Sequence, residues 1–548
     1  MQSCLSRASL TAIGWMAWLG AMGVGLCQTH PVPPGSAVGY RVAGIVISKA
    51  DGRPLAQARV VLAEVTARRK AESRFSADDG TFEFTGVPAG KFSLQGDRRG
   101  YLPASYDQHE QFSTAIVTGA GVDTENLTLR LSAAAVITGR ILDESGDPVR
   151  HARVMLYRVN HELGLRQVQL FRVEQGNDLG SYEFGGISPG TYYVSAEATP
   201  WYAVSPPKAA TAEASAVDPA LNVAYPVTYY GDAVDPEVAT PIAVRDGGRA
   251  EIDIHLAPVP ALHLIIQLPD GAANSVPQLR QIGPGGEAYT PPMPGVSPRP
   301  ISPGLWEVAG IPSGTYSVQF SGNTGTMAPA ATLNLVEDGQ QVSSSASEFS
   351  TVKLSLQLVG QNAVPQGLAV FLRSDRGNWA WRPDSHDGEK PLEVTPGRYE
   401  ILLGGTQNAY SITRISAAGC QVSGHTLNLT AGAAAISITA VRGSARVEGV
   451  VTQGGKPLAG AMVVLVPQDP ANNRSLFRRD QSDLDGTFAL NSVSPGTYKL
   501  VAIEEGWDLD WSQPGVISSY FERGQTVNVE NLDGHAISLP EPLEAQPR

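Results

Sequence analysis

"SDLDGTFALNSVSPGTYKLVA", Ser482 to Ala502, has a near-copy, "SADDGTFEFTGVPAGKFSLQG", at Ser76 to Gly96 of the same 548-residue chain. The two share a turn ending in Gly, an aromatic two residues on, and a second Gly followed within two residues by another aromatic. "DDG" and "DLDG" favour a tight turn, because Gly accepts positive φ and Asp hydrogen-bonds to nearby backbone. The flanking "TFEFTGV" and "KFSLQG" alternate apolar and polar residues, as a strand with one buried face does. Phe, Tyr and Val at the apolar positions suit a pleated surface.

Working outward from this pair, the pattern recurs. Asp79 and Gly80 with Gly90 carry it in the early copy, and Asp485 and Gly486 with Gly496 in the late one. Between them lie "LGSYEFGGISPGTY", with Gly180 and Gly190, and "PGLWEVAGIPSGTY", with Gly304 and Gly314. A fifth copy, "DGEKPLEVTPGRY", has Gly388 and Gly397, one residue closer together. Three copies share an upstream half in which a Pro precedes a small Ala by four residues: Pro54 and Ala58, Pro148 and Ala152, Pro457 and Ala461. Closing segments such as "ENLTLRLS" and "RAEIDIHL" alternate again. About seven short strands per hundred residues, with turn signals at close intervals, predict an all-β chain of two-sheet sandwiches. The expectation is a tandem array of five antiparallel seven-stranded β-sandwiches at 38–132, 133–258, 259–347, 348–442 and 443–543, the third and fourth degenerate, joined by short linkers into a semi-rigid rod.

Composition agrees with this class. Gly 58 and Pro 40 are enriched, yet hydrophobics at 42% exclude a disordered chain. A net charge of −13 excludes the basic surface that neutralises nucleic-acid phosphates. At the N-terminus, Arg7 precedes the apolar run "LTAIGWMAWLGAMGVGLC", which reads as a signal peptide at 1–27 with cleavage after Cys27. Lipid attachment at Cys27, or an uncleaved run acting as a membrane anchor, are the alternatives. Cys4 and Cys27 leave with a cleaved signal, so Cys420 is single and the modules rest on their cores rather than on disulfides. "PVPPGSAVG", Pro31 to Gly39, reads as a linker into the first module.

The combined pattern "GxVxxxxGxPLxxAxVxL … DxDGxFxFxxVxPGxYxL" resembles the carboxypeptidase regulatory-like domain. That family has a transthyretin-like sandwich fold related to collagen-adhesin B-type and starch-binding modules, and it is common in bacterial exported proteins. The resemblance is carried by the first, second and fifth copies. The third and fourth follow it through hairpin, spacing and strand count. It implies an Ig-like, transthyretin-like sandwich, and the family's name invites a test for metallopeptidase chemistry.

Motifs with chemical potential reduce to turns on inspection. His386 and Glu389 fit a His-x-x-Glu zinc pair, but they stand on the hairpin turn of the fourth copy. "HELGL" at His161 has Leu165 where the second zinc His belongs. "GISPG", Gly186 to Gly190, matches the G-x-S-x-G nucleophile elbow in letters but aligns with hairpin links "GVPAG" and "GIPSG". Asp78, Asp79, Asp483 and Asp485 offer carboxylates to calcium, too few per turn for a full site. No metal or other cofactor is expected. Adhesin-type isopeptide bonds need a Lys on the first strand, where "YRVAGIV" and "ARVEGVV" have Arg.

The remaining candidates are aromatic pairs in polar, Pro-containing segments: Trp201 with Tyr202, Tyr229 with Tyr230, Trp379 with Trp381, and Trp507 with Trp511. Aromatic faces beside polar groups bind sugars, while cross-strand packing accounts equally for such pairs. The function expected is a non-catalytic scaffold or binding protein of the cell envelope. Carbohydrate binding through exposed aromatics is the alternative, and a hydrolase stands behind both. Its location would be periplasmic, outer-surface or secreted. Its partner would be a polysaccharide or another envelope protein, with no nucleic acid and no membrane contact beyond an uncleaved signal.

Overall fold

The computed structural model describes residues 39–65, 71–119, 121–161, 164–205, 218–268, 276–284, 296–321, 327–343, 350–374, 377–381, 391–394, 396–406, 409–530 and 536–548. The alternation seen in the repeat becomes strand burial directly. In Thr81–Val87, Phe82, Phe84 and Val87 are buried while Thr81, Glu83 and Thr85 face solvent. Hydrophobic side chains gather in five main clusters that follow one another along the chain, spanning 42–131, 135–256, 264–335, 352–438 and 445–545.

The first unit sets the pattern. One sheet orders Thr81–Val87, Tyr40–Ser48 and Leu127–Leu131. The facing sheet orders Ala71–Phe75, Arg59–Glu64, Gly90–Asp97 and Ala104–Ser105, and Ile116–Thr118 also pairs with Gly90–Asp97. Described strands number eight here and seven in the third unit. Adjacent strands are antiparallel except where closing strands join, and in the last unit Leu543–Gln546 pairs in parallel with both Ala445–Gln453 and Gly496–Ile503. The first strand pairs in parallel with a closing strand: Tyr40–Ser48 with Leu127–Leu131, Ala135–Leu142 with Arg249–Glu251, Leu262–Gln267 with Gln340–Ser343, Ser350–Leu358 with Gly432–Arg442, and Ala445–Gln453 with Ala536–Ser538. Parallel pairing places the two ends of each unit at opposite poles, so the next unit starts without a return crossing.

The units do not form an extended rod. The last one contacts the first, second and fourth through hydrogen bonds and side-chain packing. The expectation of a linear string failed because local periodicity reports strands and says nothing of faces that meet across four hundred residues. Leu484 of the last unit packs against the first unit's core, and Phe112 of the first unit packs against a cluster containing Trp507 and Trp511.

Candidate functional site

The repeat turns are built alike. Asp79 Oδ1 accepts from Thr81 N at 3.0 Å and Thr81 Oγ1 at 2.7 Å, and these bonds hold its carboxyl below the usual carboxylate range. Asp485 Oδ1 accepts from Thr487 N at 3.0 Å and Thr487 Oγ1 at 2.5 Å. Gly80, Gly180 and Gly486 have φ of +80°, +69° and +78°, and a Cβ there would fall 2.8, 2.6 and 2.5 Å from a backbone carbonyl oxygen of the first strand. Gly304 turns likewise, with φ of +76°. Gly388 lies outside the described residues, as do His386 and Glu389. At Gly90, Gly190, Gly314, Gly397 and Gly496 the aromatic two residues on lies within 4 Å of where a Cβ would stand. Three of these aromatics close the link behind them: Tyr192, Tyr316 and Tyr498 each donate from the hydroxyl to the carbonyl four residues upstream, at 2.8 Å. "GISPG" accordingly joins strands Ser181–Ile187 and Gly190–Glu197.

Asp483 has a different task. Its carboxylate accepts from Lys91 Nζ at 2.6 Å and from Ala115 N at 3.0 Å, both in the first unit. Lys91 Nζ also reaches Thr487 Oγ1 at 2.7 Å. Beside it, Gln481 Nε2 donates to Asp107 O at 2.6 Å and to Thr114 Oγ1 at 2.8 Å. Arg479 is the centre of this contact. Its side chain is 4% exposed, it pairs with Glu110 at 2.6 Å, and its guanidinium lies 4.2 Å from the Trp511 ring centre, 5.2 Å from Phe112 and 5.8 Å from Trp507. Desolvated cation–π contacts of this kind are among the stronger ones. His109 stacks on Trp507 with ring centres 4.9 Å apart.

Two smaller contacts complete the docking. Ser512 N and Oγ donate to Gly164 O at 3.1 and 3.0 Å, and His161 Nδ1 lies 3.0 Å from Asp510 Oδ1. The "HELGL" stretch is thus where the second unit meets the last. At the fourth unit, Ser475 Oγ sits 3.3 Å from His425 Nδ1, and Ser475 N donates to Glu400 Oε1. Burial pushes the His425 imidazole below its usual range. A Ser, a His and a Glu therefore meet, but the glutamate holds the serine's backbone rather than orienting the imidazole, which is the wrong wiring for a triad. No local pattern marks these residues, since they come from different units. Among the described residues no group of three or more His, Cys, Asp or Glu is placed to hold a metal ion.

The aromatic candidates separate. Trp507 and Trp511 are each 7% exposed and belong to the contact just described. Tyr229 is buried, and Tyr230 packs against the second unit's core. Trp379 and Trp381 stand opposite Leu372 and Val370 in their ladder, and their side chains lie outside the described residues. Trp201 alone of the described candidates is open, at 89% exposure, edge-on to Tyr202. The Tyr202 and Tyr225 hydroxyls donate to the two oxygens of Glu144 at 2.6 and 2.8 Å, and the first bond pushes the Tyr202 hydroxyl up to about 12. A cleft of about 1200 Å³ between the second and third units is lined by residues including Arg166, Tyr193, Asp235, Gln281 and Asn334.

Repeated β-sandwiches, three of them in contact with the last, define a multi-module all-β architecture. Residues 41–132, within the first unit, match the family model of the carboxypeptidase regulatory-like domain. No curated protein matches the chain. Among solved structures, the Bacillus anthracis TIE protein aligns at 12% identity over 55% of this chain and 49% of its own, with a TM-score of 0.18. The minor pilin of Streptococcus agalactiae aligns at 10% identity over 40% of this chain and 97% of its own, with a TM-score of 0.22. The shaft pilin of Lactobacillus rhamnosus GG aligns at 10% identity over 40% and 97%, with a TM-score of 0.18. At these values the likenesses carry no functional inference.

Proposed function

We propose that the chain is an exported, non-catalytic scaffold of the cell envelope, divided at 38–132, 133–258, 259–347, 348–442 and 443–543, whose last module is the hub on which the first, second and fourth dock. One observation carries this. The acids, serines and glycines of the repeat are consumed by the turn's own hydrogen bonds, and where copies differ the extra groups bind another module. The five core clusters support the divisions: four fall inside one division each, and the last, 445–545, begins inside the fifth and reaches just past its end. The apolar N-terminal run supports export, and among the described residues no helix is long and apolar enough to cross a membrane. Cross-linking in intact cells, followed by fractionation, tests the proposal: recovery with envelope partners is expected, and a free cytoplasmic chain overturns it.

A second reading rests on Trp201. An exposed indole braced by Tyr202, beside a carboxylate anchored by two tyrosines, suits stacking on a sugar ring. A glycan array with wild type and Trp201→Ala tests it. Loss of a wild-type signal in the variant is expected, and equal signals remove this residue from consideration.

A further inference from the structure

In the first module Ala71–Phe75 is an edge strand. It pairs with Arg59–Glu64 on one side only, and all five of its residues are exposed, Phe75 to 71%. It lies at the opposite edge of its sheet from the strands that flank the docking segment, so the last module does not cover it. The corresponding strand of the last module, Arg478–Gln481, is the one that the first module covers through Glu110, Asp107 and Thr114.

The direction of the strand's backbone groups follows from the ladder. Ser76 N donates to Ala58 O at 2.9 Å, and Val65 N donates to Lys91 O at 3.0 Å across the other side of the middle strand. Antiparallel bonding alternates every residue. Both observations therefore turn the groups of Glu72 and Arg74 inward, toward Leu62 and Val60, and leave those of Ala71, Ser73 and Phe75 pointing outward.

We propose that this edge pairs with the same edge of a second copy of the chain, antiparallel and centred on Ser73. That register sets Ser73 opposite its twin and Ala71 opposite the partner's Phe75, the residues whose backbone groups point away from the sheet; Ser73 O accepts from the Arg74 guanidinium at 3.2 Å, a bond that pairing would replace. It also sets Glu72 opposite the partner's Arg74, and Arg74 opposite the partner's Glu72, at the non-bonded pairs where facing side chains come closest. Inward-pointing charges on an edge ordinarily prevent pairing. Here they alternate in sign about the twofold axis and become complementary. The two already attract within one chain, at 3.4 Å. The edge strand Gln167–Gln175 of the second module lacks this property, because pairing about its own centre sets Leu170 opposite Arg172 and Val168 opposite Glu174. Pairing of five residues is small against a standard interface, so the association belongs to the transient class, strengthened where copies are crowded.

The test is sedimentation velocity of the full-length chain over a wide concentration range. Wild type is expected to dimerise with concentration. Arg74→Glu and Glu72→Arg alone each set like charges opposite one another and weaken self-association about tenfold or more. The double exchange E72R/R74E restores it, and an equimolar mixture of the two single variants forms a heterodimer. Ser73→Pro, which removes only an outward N–H, abolishes pairing in every background. A wild type that stays monomeric throughout, or single variants that self-associate as wild type does and gain nothing on mixing, overturns the proposal.

Discussion

The turn at Ser76 to Gly80 and the turn at Ser482 to Gly486 are the same object in different surroundings. Ser76 Oγ accepts from Ala58 N at 2.8 Å and donates to Leu55 O at 2.6 Å, while Ser482 Oγ accepts from Ala461 N at 2.9 Å and donates to Leu458 O at 2.7 Å. The Asp, Gly and Thr that follow repeat one another bond for bond. The residues between do not. Ala77 and Asp78 in the first copy are Asp483 and Leu484 in the last, and Ser73 and Phe75 before the turn are Arg479 and Gln481. Each of these replacements in the last copy touches the first module. The shared residues make the fold, and the unshared ones make the docking face.

The largest effect is expected where the copies differ most. Arg479→Ala strips a buried guanidinium from three aromatic rings and leaves Glu110 half-buried without its partner, at a cost of about 3–5 kcal/mol to the docked arrangement. Ser73→Ala at the matching position stays within about 0.5 kcal/mol, as exposed sites do. Chemical denaturation of the whole chain, with proteolysis at the segment 106–115 as a local readout, measures both. Equal losses at the two positions would dissolve the distinction. The shared residues give the converse test. Gly80→Ala and Gly486→Ala each force a side chain into left-handed backbone against a carbonyl, so each should destabilise its module by about 2–3 kcal/mol. A copy that tolerates the change has a turn of another kind.

The fold was legible because its determinants are local. Alternation of Phe82 and Phe84, the Asp-Gly turn and the Gly-x-Tyr corner act within a few residues, so "DGTFALNSVSPGTY" specifies a hairpin wherever it occurs. The parallel closing ladder and the docking were not legible, since Leu127 meets Gly44, and Lys91 meets Asp483, only after the chain has folded. The aromatics were ambiguous for the same reason. Nothing near Trp507 in sequence tells that Arg479 and His109 will cover it, nor that Trp201 will stay bare.

Electrostatics separates the copies a third time. Asp480 occupies the place of Arg74, and burial, with the nearby Asp483 carboxylate adding to it, pushes its carboxyl up to about 6. A raised carboxyl stabilises the folded form while protonated. The contribution is complete below about pH 4 and is lost as pH rises through about 6, on the order of 2 kcal/mol. Thermal unfolding at about pH 4 and about pH 7.5, on either side of the transition, should show wild type losing stability relative to Asp480→Asn. Parallel pH profiles of the two proteins would mean that Asp480 is ionised throughout.

The smallest expected difference lies at the second corner of the repeat, where the last copy has Tyr498 and the first has Phe92. Tyr498 donates its hydroxyl to Ser494 O at 2.8 Å, so Tyr498→Phe should cost about 1 kcal/mol, the net value of one buried hydrogen bond with the carbonyl left unserved. The reverse change should bring no matching gain. In the first copy the equivalent carbonyl, Pro88 O, already accepts from Thr118 Oγ1 at 2.6 Å, so a hydroxyl added by Phe92→Tyr arrives at an acceptor in use. Only when Thr118 is replaced by Val should Phe92→Tyr stabilise, and that coupling is read from a double-mutant cycle of denaturation midpoints. A gain from Phe92→Tyr alone would show that Thr118 does not substitute for the tyrosine, and the two corners would then differ in more than the residue that closes them.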